Sequence, residues 1–147
     1  MRGLVQRVSQ ASVRVGDETV GEIRRGLVVL LGVARDDTPN DARRLAEKIA
    51  HLRLFPQGDK EFHLSALETG AQVLVVSQFT LLADTRKGRR PGFDGAAPAP
   101  QAQPLFQEFL QALGSWGLKV ETGRFGEHMQ VEIHNDGPVT LLLDSRE

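Results

Sequence analysis

The sequence predicts an α+β fold: a mixed, largely antiparallel sheet packed with two main helices, closed by a C-terminal β-hairpin. Three observations predict it. Apolar and polar residues alternate through the first third, two stretches repeat apolar residues at helical spacing, and a late alternating stretch runs into a turn signature.

Met1–Arg7 alternates apolar and polar side chains, as do Val13 and Val15 with their neighbours. Gly16-Asp17 offers a turn before Val20–Ile23 resumes the pattern. Leu27–Val33 is continuously apolar, as expected of a strand covered on both faces. A helix opens at Thr38-Pro39: Thr38 can cap it, proline suits the first helical position, and Asp41 complements the dipole. Its buried stripe is Ala42, Leu45, Ala46, Ile49 and Leu52. A second covered strand, Gln72–Phe79, ends in polar residues. Asp84–Gln103 reads as a long loop that includes the Ala/Pro stretch Ala96–Pro100, and such loops are usually functional or mobile. Leu105, Phe106, Phe109, Leu110, Leu113 and Trp116 form the apolar face of another helix, which Gly117 can terminate. Met129, Val131 and Ile133 alternate, Asn135-Asp136-Gly137-Pro138 reads as a turn, and Val139–Leu143 as the returning strand. No internal repeat or long linker divides the chain, so residues 1–147 are expected to form one domain.

Composition narrows the chemistry. Lys plus Arg number 18 and Asp plus Glu 19, a formal net charge of −1. That balance argues against a strongly polybasic nucleic-acid binder, and no DNA partner is expected, but a local basic patch is compatible with it. The chain contains no cysteine, which excludes disulfides, thiol nucleophiles and Cys-ligated metals. The histidines His51, His63, His128 and His134 have no metal-ligand spacing, so no metal and no cofactor are expected. The longest apolar runs, Leu27–Leu31 and Val73–Val76, fall far short of the ~20 residues of a membrane span. The N-terminus also lacks a signal-peptide core. A soluble, cytoplasmic protein is expected.

Ser77-Gln78-Phe79-Thr80-Leu81 places hydroxyl, amide, ring and hydroxyl at the end of a buried strand. Thr80 could serve as a nucleophile only with a base to activate it, and no local histidine or carboxylate fills that role. Ordinary strand-end capping explains the same residues. Arg86-Lys87-Gly88-Arg89-Arg90 brings four cations close after that strand end, as a phosphate grip or as a solvated loop. Gly123-Arg124-Phe125-Gly126 has the GXXG form of a nucleic-acid clamp, and equally that of a turn. Asn135–Pro138 is either a tight hairpin turn or, with a cis Gly137–Pro138 bond, a site offering two carbonyl oxygens to an ammonium group.

Taken together, these stretches resemble the D-aminoacyl-tRNA deacylase family. The resemblance starts at Gln6-Arg7-Val8 with Ala11-Ser12-Val13 and includes Gly26–Val33 and Val75–Leu81. It continues through Arg90-Pro91-Gly92-Phe93, Gly123–Gly126, Met129-Gln130-Val131 and Asn135–Thr140. It implies a homodimeric, cytoplasmic hydrolase that cleaves the ester between a D-amino acid and the 3′-terminal adenosine of tRNA. It further implies a site carried by Ser77, Gln78, Phe79 and Thr80, and a cis Gly137–Pro138 motif that reaches into the partner subunit. Arg7 matches a residue that orients that motif, and Phe125 and Met129 match positions lining the pocket. Lys60–Ser65 departs from the family's G-K-M-N-L-S pattern, with Phe62 and His63 in place of methionine and asparagine.

The chemistry is consistent with such a role. An aminoacyl ester is already activated, so positioning and oxyanion stabilisation matter more than a strong nucleophile. Main-chain N–H groups around Phe79-Thr80 are the favoured oxyanion donors, with water or the ribose 2′-hydroxyl assisting; a covalent role for Thr80 is the lesser option. L-amino acids would be excluded sterically while glycine would not. Arg86, Lys87, Arg89 and Arg90 are the candidates for acceptor-stem phosphates. Two other classes use part of these features. A non-catalytic nucleic-acid-binding module on the same fold needs the basic loop alone, and a hydrolase of another small ester needs the pocket alone.

Overall fold

The computed structural model describes residues 1–147. The alternating N-terminus forms β1 (Arg2–Val15), the strand on which the main sheet is built. One edge of β1 pairs antiparallel with β2 (Glu18–Ile23) along Ala11–Val15 and with β3 (Gly26–Gly32) along Arg2–Val8. Its other edge pairs antiparallel with β8 (Gln130–Asp144). β6 (Gln72–Ser77) lies parallel to β3, and β7 (Lys119–Thr122) parallel to β6. The order is β2-β1-β3-β6-β7, with β8 alongside β1. The sheet is therefore mixed and mostly antiparallel, as the sequence predicts.

Continuous apolar runs make β3 and β6 central because both of their faces are covered. Leu27, Val29, Leu31, Val73 and Val75 pack under α1 (Pro39–His51) and α3 (Ala99–Ser115), meeting Leu45, Ile49, Phe106 and Phe109. Val28, Leu74 and Val76 point the other way, onto Val8, Ala11, Val13 and Ile23. This second cluster fills the inside of a curl that brings β2 against β7. The approach is so close that a Cβ on Gly21 would lie 2.3 Å from the Thr122 carbonyl oxygen.

Three expectations change. First, there is no C-terminal hairpin: β8 runs unbroken past Gly137-Pro138, paired with β1 on both sides of it. Asn135 pairs with Val8 and Thr140 with Gln6, so Asp136–Val139 bulge opposite Arg7 alone. A turn signature yields a bulge here because β1 is long enough to pair with both halves. Second, β6 stops at Ser77, and Phe79–Leu82 form a 3₁₀ turn rather than strand. Third, α3 begins at Ala99 inside the expected loop, with Pro98 at its N-cap and Pro100 in its first turn, where prolines lack no needed donor. Trp116 is the exposed C-cap of that helix, edge-on to His51, and not part of its buried face. Thr38 is the N-cap of α1 as expected; its hydroxyl and its N–H both donate to the Asp41 carboxylate.

The segment between α1 and β6 holds an element the sequence reading leaves undescribed. β4 (Arg53–Gln57) and β5 (Lys60–Ser65) form a separate two-stranded sheet, followed by the short α2 (Ala66–Thr69). Ser65 and Glu68 cap that turn reciprocally.

Closing the curl at Gly21 yields a testable contrast. Gly21→Ala forces a methyl group into backbone and is expected to destabilise the protein by about 1–3 kcal/mol. Gly114→Ala, in α3 with no atom within 4 Å of the added Cβ, is expected to stabilise it by about 0.5–1 kcal/mol. Urea denaturation of both variants checks the opposite signs.

Candidate active site

Ser77 ends β6 and Gln78 leaves it, its N–H donating to the Leu31 carbonyl at 2.8 Å. The chain then tightens into the 3₁₀ turn Phe79–Leu82. The first N–H groups of such a turn have no partner within it, and those of Phe79 and Thr80 hold that position here. Phe79 is half exposed, and its ring meets Phe93 edge-on at 5.0 Å. The Gln78 side-chain amide donates to the Thr80 hydroxyl. No histidine or carboxylate hydrogen-bonds that hydroxyl, so nothing in this chain is placed to deprotonate it.

Beside the turn lies a cavity of about 520 Å³. Ser77, Phe79, Phe125 and Met129 all line it, together with Phe93 and Arg35. Phe125 is set by its contact with the Phe106 ring of α3 at 5.7 Å, and the Arg124 N–H donates to the Met129 sulfur at 3.4 Å. The wall opposite is the loop between the 3₁₀ turn and α3. Asp84 and Gly92 exchange backbone hydrogen bonds of 2.7 and 2.9 Å across its neck. Arg35 holds it by donating to the Asp94 carbonyl, and Ala97 by donating to the Val33 carbonyl.

Of the basic run, Arg86 is committed locally. Its guanidinium grips both oxygens of Asp84 at 2.9 and 2.8 Å, which pulls the Asp84 carboxyl down to about 2. Lys87, Arg89 and Arg90 have no acidic partner and are exposed. Their charge is available where that of Arg86 is largely answered.

Gly137, Pro138 and Arg7 form a separate constellation. The Gly137–Pro138 bond is cis. Asn135 stands in for the missing strand partner of the bulge: its amide donates to the Val139 carbonyl and its side-chain oxygen accepts from the Val139 N–H, both at 3.0 Å. Arg7, buried under β4, donates through Nε to the Asp136 carbonyl at 3.1 Å and through Nη1 to the Leu54 carbonyl at 2.9 Å. Its Nη2 meets the Glu61 carboxylate at 2.6 Å. A Cβ on Gly137 would lie 3.5 Å from the same nitrogen, so the guanidinium rests directly against the motif.

These two constellations are not neighbours within one chain. Arg7 pairs with Leu27 in β3, whereas Ser77 pairs with Leu31, four residues further along that strand and on its far side. Neither Gly137 nor Pro138 lines the cavity beside Phe79. The sequence reading also passes over Asn135 as a clamp, Phe93 as the partner of Phe79, and Leu54 and Glu61 as partners of Arg7. Phe93 carries a signal in its place beside the basic run. The Arg7 partners carry none, because only folding brings β4 and β5 to β1.

Comparison with known proteins gives the family and the fold. The model of the family described as D-Tyr-tRNA(Tyr) deacylase matches residues 4–144. A D-aminoacyl-tRNA deacylase of Desulforudis audaxviator is 60% identical over 146 residues, covering 99% of this chain and 98% of its own. One of Symbiobacterium thermophilum is 56% identical, with coverages of 99% and 96%. Among solved structures, one described as c-Myc DNA Unwinding Element Binding Protein superposes with a TM-score of 0.91 at 40% identity, covering 98% of each chain. A probable eukaryotic D-amino acid tRNA deacylase superposes at 0.83 and 20% identity, over 97% of this chain and 98% of its own, a likeness of fold. With a full-length family match and majority identity to such relatives, the chain belongs to the D-Tyr-tRNA(Tyr) deacylase family.

Proposed function

We propose that this protein, as a single domain over residues 1–147, hydrolyses the ester of D-aminoacyl-tRNA in the cytoplasm, releasing amino acid and tRNA. The observation that carries the proposal is the 3₁₀ turn that opens at Phe79-Thr80, whose first residue, Phe79, lines a largely apolar cavity beside Ser77. Two main-chain donors aimed at a developing oxyanion are the kind of group that accelerates cleavage of an activated ester. Water, or the ribose 2′-hydroxyl of the substrate itself, then supplies the attacking or proton-carrying oxygen. Ser77 and Gln78 shape the turn, and Phe125 and Met129 close the floor beneath it.

Chirality is read at Gly137 and Pro138, whose carbonyl oxygens would accept hydrogen bonds from the α-ammonium group. With ammonium and ester both held, only one hand of amino acid can direct its side chain away from the wall. A conflict of about 4 kcal/mol for the other hand corresponds to roughly 10³-fold rejection. Glycine has no side chain to exclude, so glycyl-tRNA is cleaved as well. In one chain this motif lies away from the turn, and a homodimer in which each copy presents it to the other's cavity resolves the separation. Support for that arrangement is the outer position of β8 beside β1 and the exposed Leu141 and Leu142 on it. Arg7 keeps the motif projecting.

The superposition with a structure described as a DNA-element-binding protein keeps a second reading in view, a non-catalytic nucleic-acid-binding module. Incubation with D-, L- and glycyl-tRNA separates the two: loss of the D- and glycyl esters with the L-ester intact is expected, and no hydrolysis of any leaves the module. Thr80→Val is expected to keep hydrolysis within about tenfold of the wild type. A loss beyond ~10³-fold in single-turnover rate, with binding and melting unchanged, would make Thr80 the nucleophile. Replacing both Lys87 and Arg89 with alanine is expected to flatten the salt dependence of tRNA binding by about two phosphate contacts. An unchanged slope would return both to solvent.

A further inference from the structure

On the other side of the same 3₁₀ turn lies a second depression of about 920 Å³, polar where the first is apolar. The turn is the wall between them: Phe79 faces the apolar cavity and Leu82 the polar basin. Five cations border the basin, namely Arg2, Arg86, Lys87, Arg90 and Arg146. Three carboxylates, those of Asp36, Asp84 and Asp94, offset them in part. A chain with a net charge of −1 thus carries a local positive excess beside its ester-cleaving turn.

Two of these cations come from the ends of the chain and lie outside the basic run. Arg146 is held over the basin by Asp36 and Asp37 through Nη2 alone, leaving Nε and Nη1 of its half-exposed side chain unengaged, whereas Arg86 commits both Nε and Nη2 to Asp84. Arg2 is more informative. Its Nη1 donates to the Leu81 carbonyl of the turn at 3.0 Å, and its Nε faces Asp144 at 3.4 Å. Nη2 has no protein partner and is free for an oxyanion, so one planar guanidinium can hold a phosphate and the turn together. A phosphate bound there stands at a fixed place relative to the N–H groups of Phe79 and Thr80.

We infer that Arg2 and Arg146 complete, with Lys87 and Arg90, a phosphate-binding basin for the backbone of the tRNA 3′ strand, registered to the catalytic turn through the Arg2–Leu81 hydrogen bond. The inference rests on the deacylase reading above. It adds two binding residues that are remote in sequence from the basic run, and it treats Arg86 as a structural brace for Asp84.

The test compares D-aminoacyl-tRNA with D-aminoacyl-adenosine, which has the ester and the base but no backbone phosphate. Arg2→Gln and Arg146→Gln are each expected to raise KM for D-aminoacyl-tRNA about 5–10-fold and to lower the salt slope by about one. The loss with D-aminoacyl-adenosine should be several-fold smaller. Arg44→Ala, an exposed cation on α1 outside the basin, controls for loss of charge alone, and melting curves confirm that the variants fold. Unchanged KM and slope in either Gln variant, with the wild type cleaving D-aminoacyl-tRNA, overturns the inference, as does an equal loss on both substrates. Failure of the wild type to cleave either substrate overturns instead the deacylase reading beneath it.

Discussion

The guanidinium of Arg7 is a charge taken out of water, and much of the fold is arranged to answer it. An unpaired buried ion costs several kcal/mol, about as much as a small protein can spare. Three separate elements converge on this one: β4 supplies the Leu54 carbonyl, β5 the Glu61 carboxylate, and the bulge of β8 the Asp136 carbonyl. Each uses a different nitrogen, so the fork geometry of arginine fixes their relative positions. The small β4–β5 sheet thereby acquires a reason to dock where it does. The bulge acquires a fixed height above the sheet, with Asn135 closing its base.

This arrangement separates rigidity from reactivity. The motif at Gly137-Pro138 is braced from below by Arg7, while the turn at Phe79–Leu82 is braced by β3 through the Gln78 N–H and by Arg2 through the Leu81 carbonyl. Neither device involves a strong acid, base or nucleophile. Main-chain donors and acceptors held in place suit a substrate whose ester is already activated, because what such a reaction lacks is position.

Legibility of the fold followed the strength of local patterns. β3 and β6 are continuous apolar runs and α1 and most of α3 show helical periodicity; they lie close to where the sequence puts them, β6 ending two residues early. The start of α3 is masked by prolines, which usually signal loops; Pro98 and Pro100 are tolerated here at the cap and in the first turn, while Pro104 lies inside the helix. β4 and β5 are short and irregularly paired, with register shifts on both sides of Phe55, so neither shows a clean alternation. Asn135–Pro138 carries every mark of a hairpin turn. Its outcome as a bulge depended on β1, whose 14 residues continue past it as a template.

By itself the sequence determined which residues are chemically unusual: Ser77–Thr80 at the end of a buried strand, the cations of Arg86–Arg90, and Gly137-Pro138 in an otherwise alternating stretch. It did so because burial, charge and turn chemistry are local properties. Tertiary structure alone decided which of them meet. It placed Ser77 and Phe79 in one cavity with Phe125 and Met129, withdrew Arg86 onto Asp84, and set Gly137-Pro138 against Arg7, away from the turn. It also carried Arg2 and Arg146 to the basin beside Lys87 and Arg90. Apart from the local Arg86–Asp84 pair, those meetings depend on strand order and register, which join residues far apart in the chain and leave no trace in local periodicity.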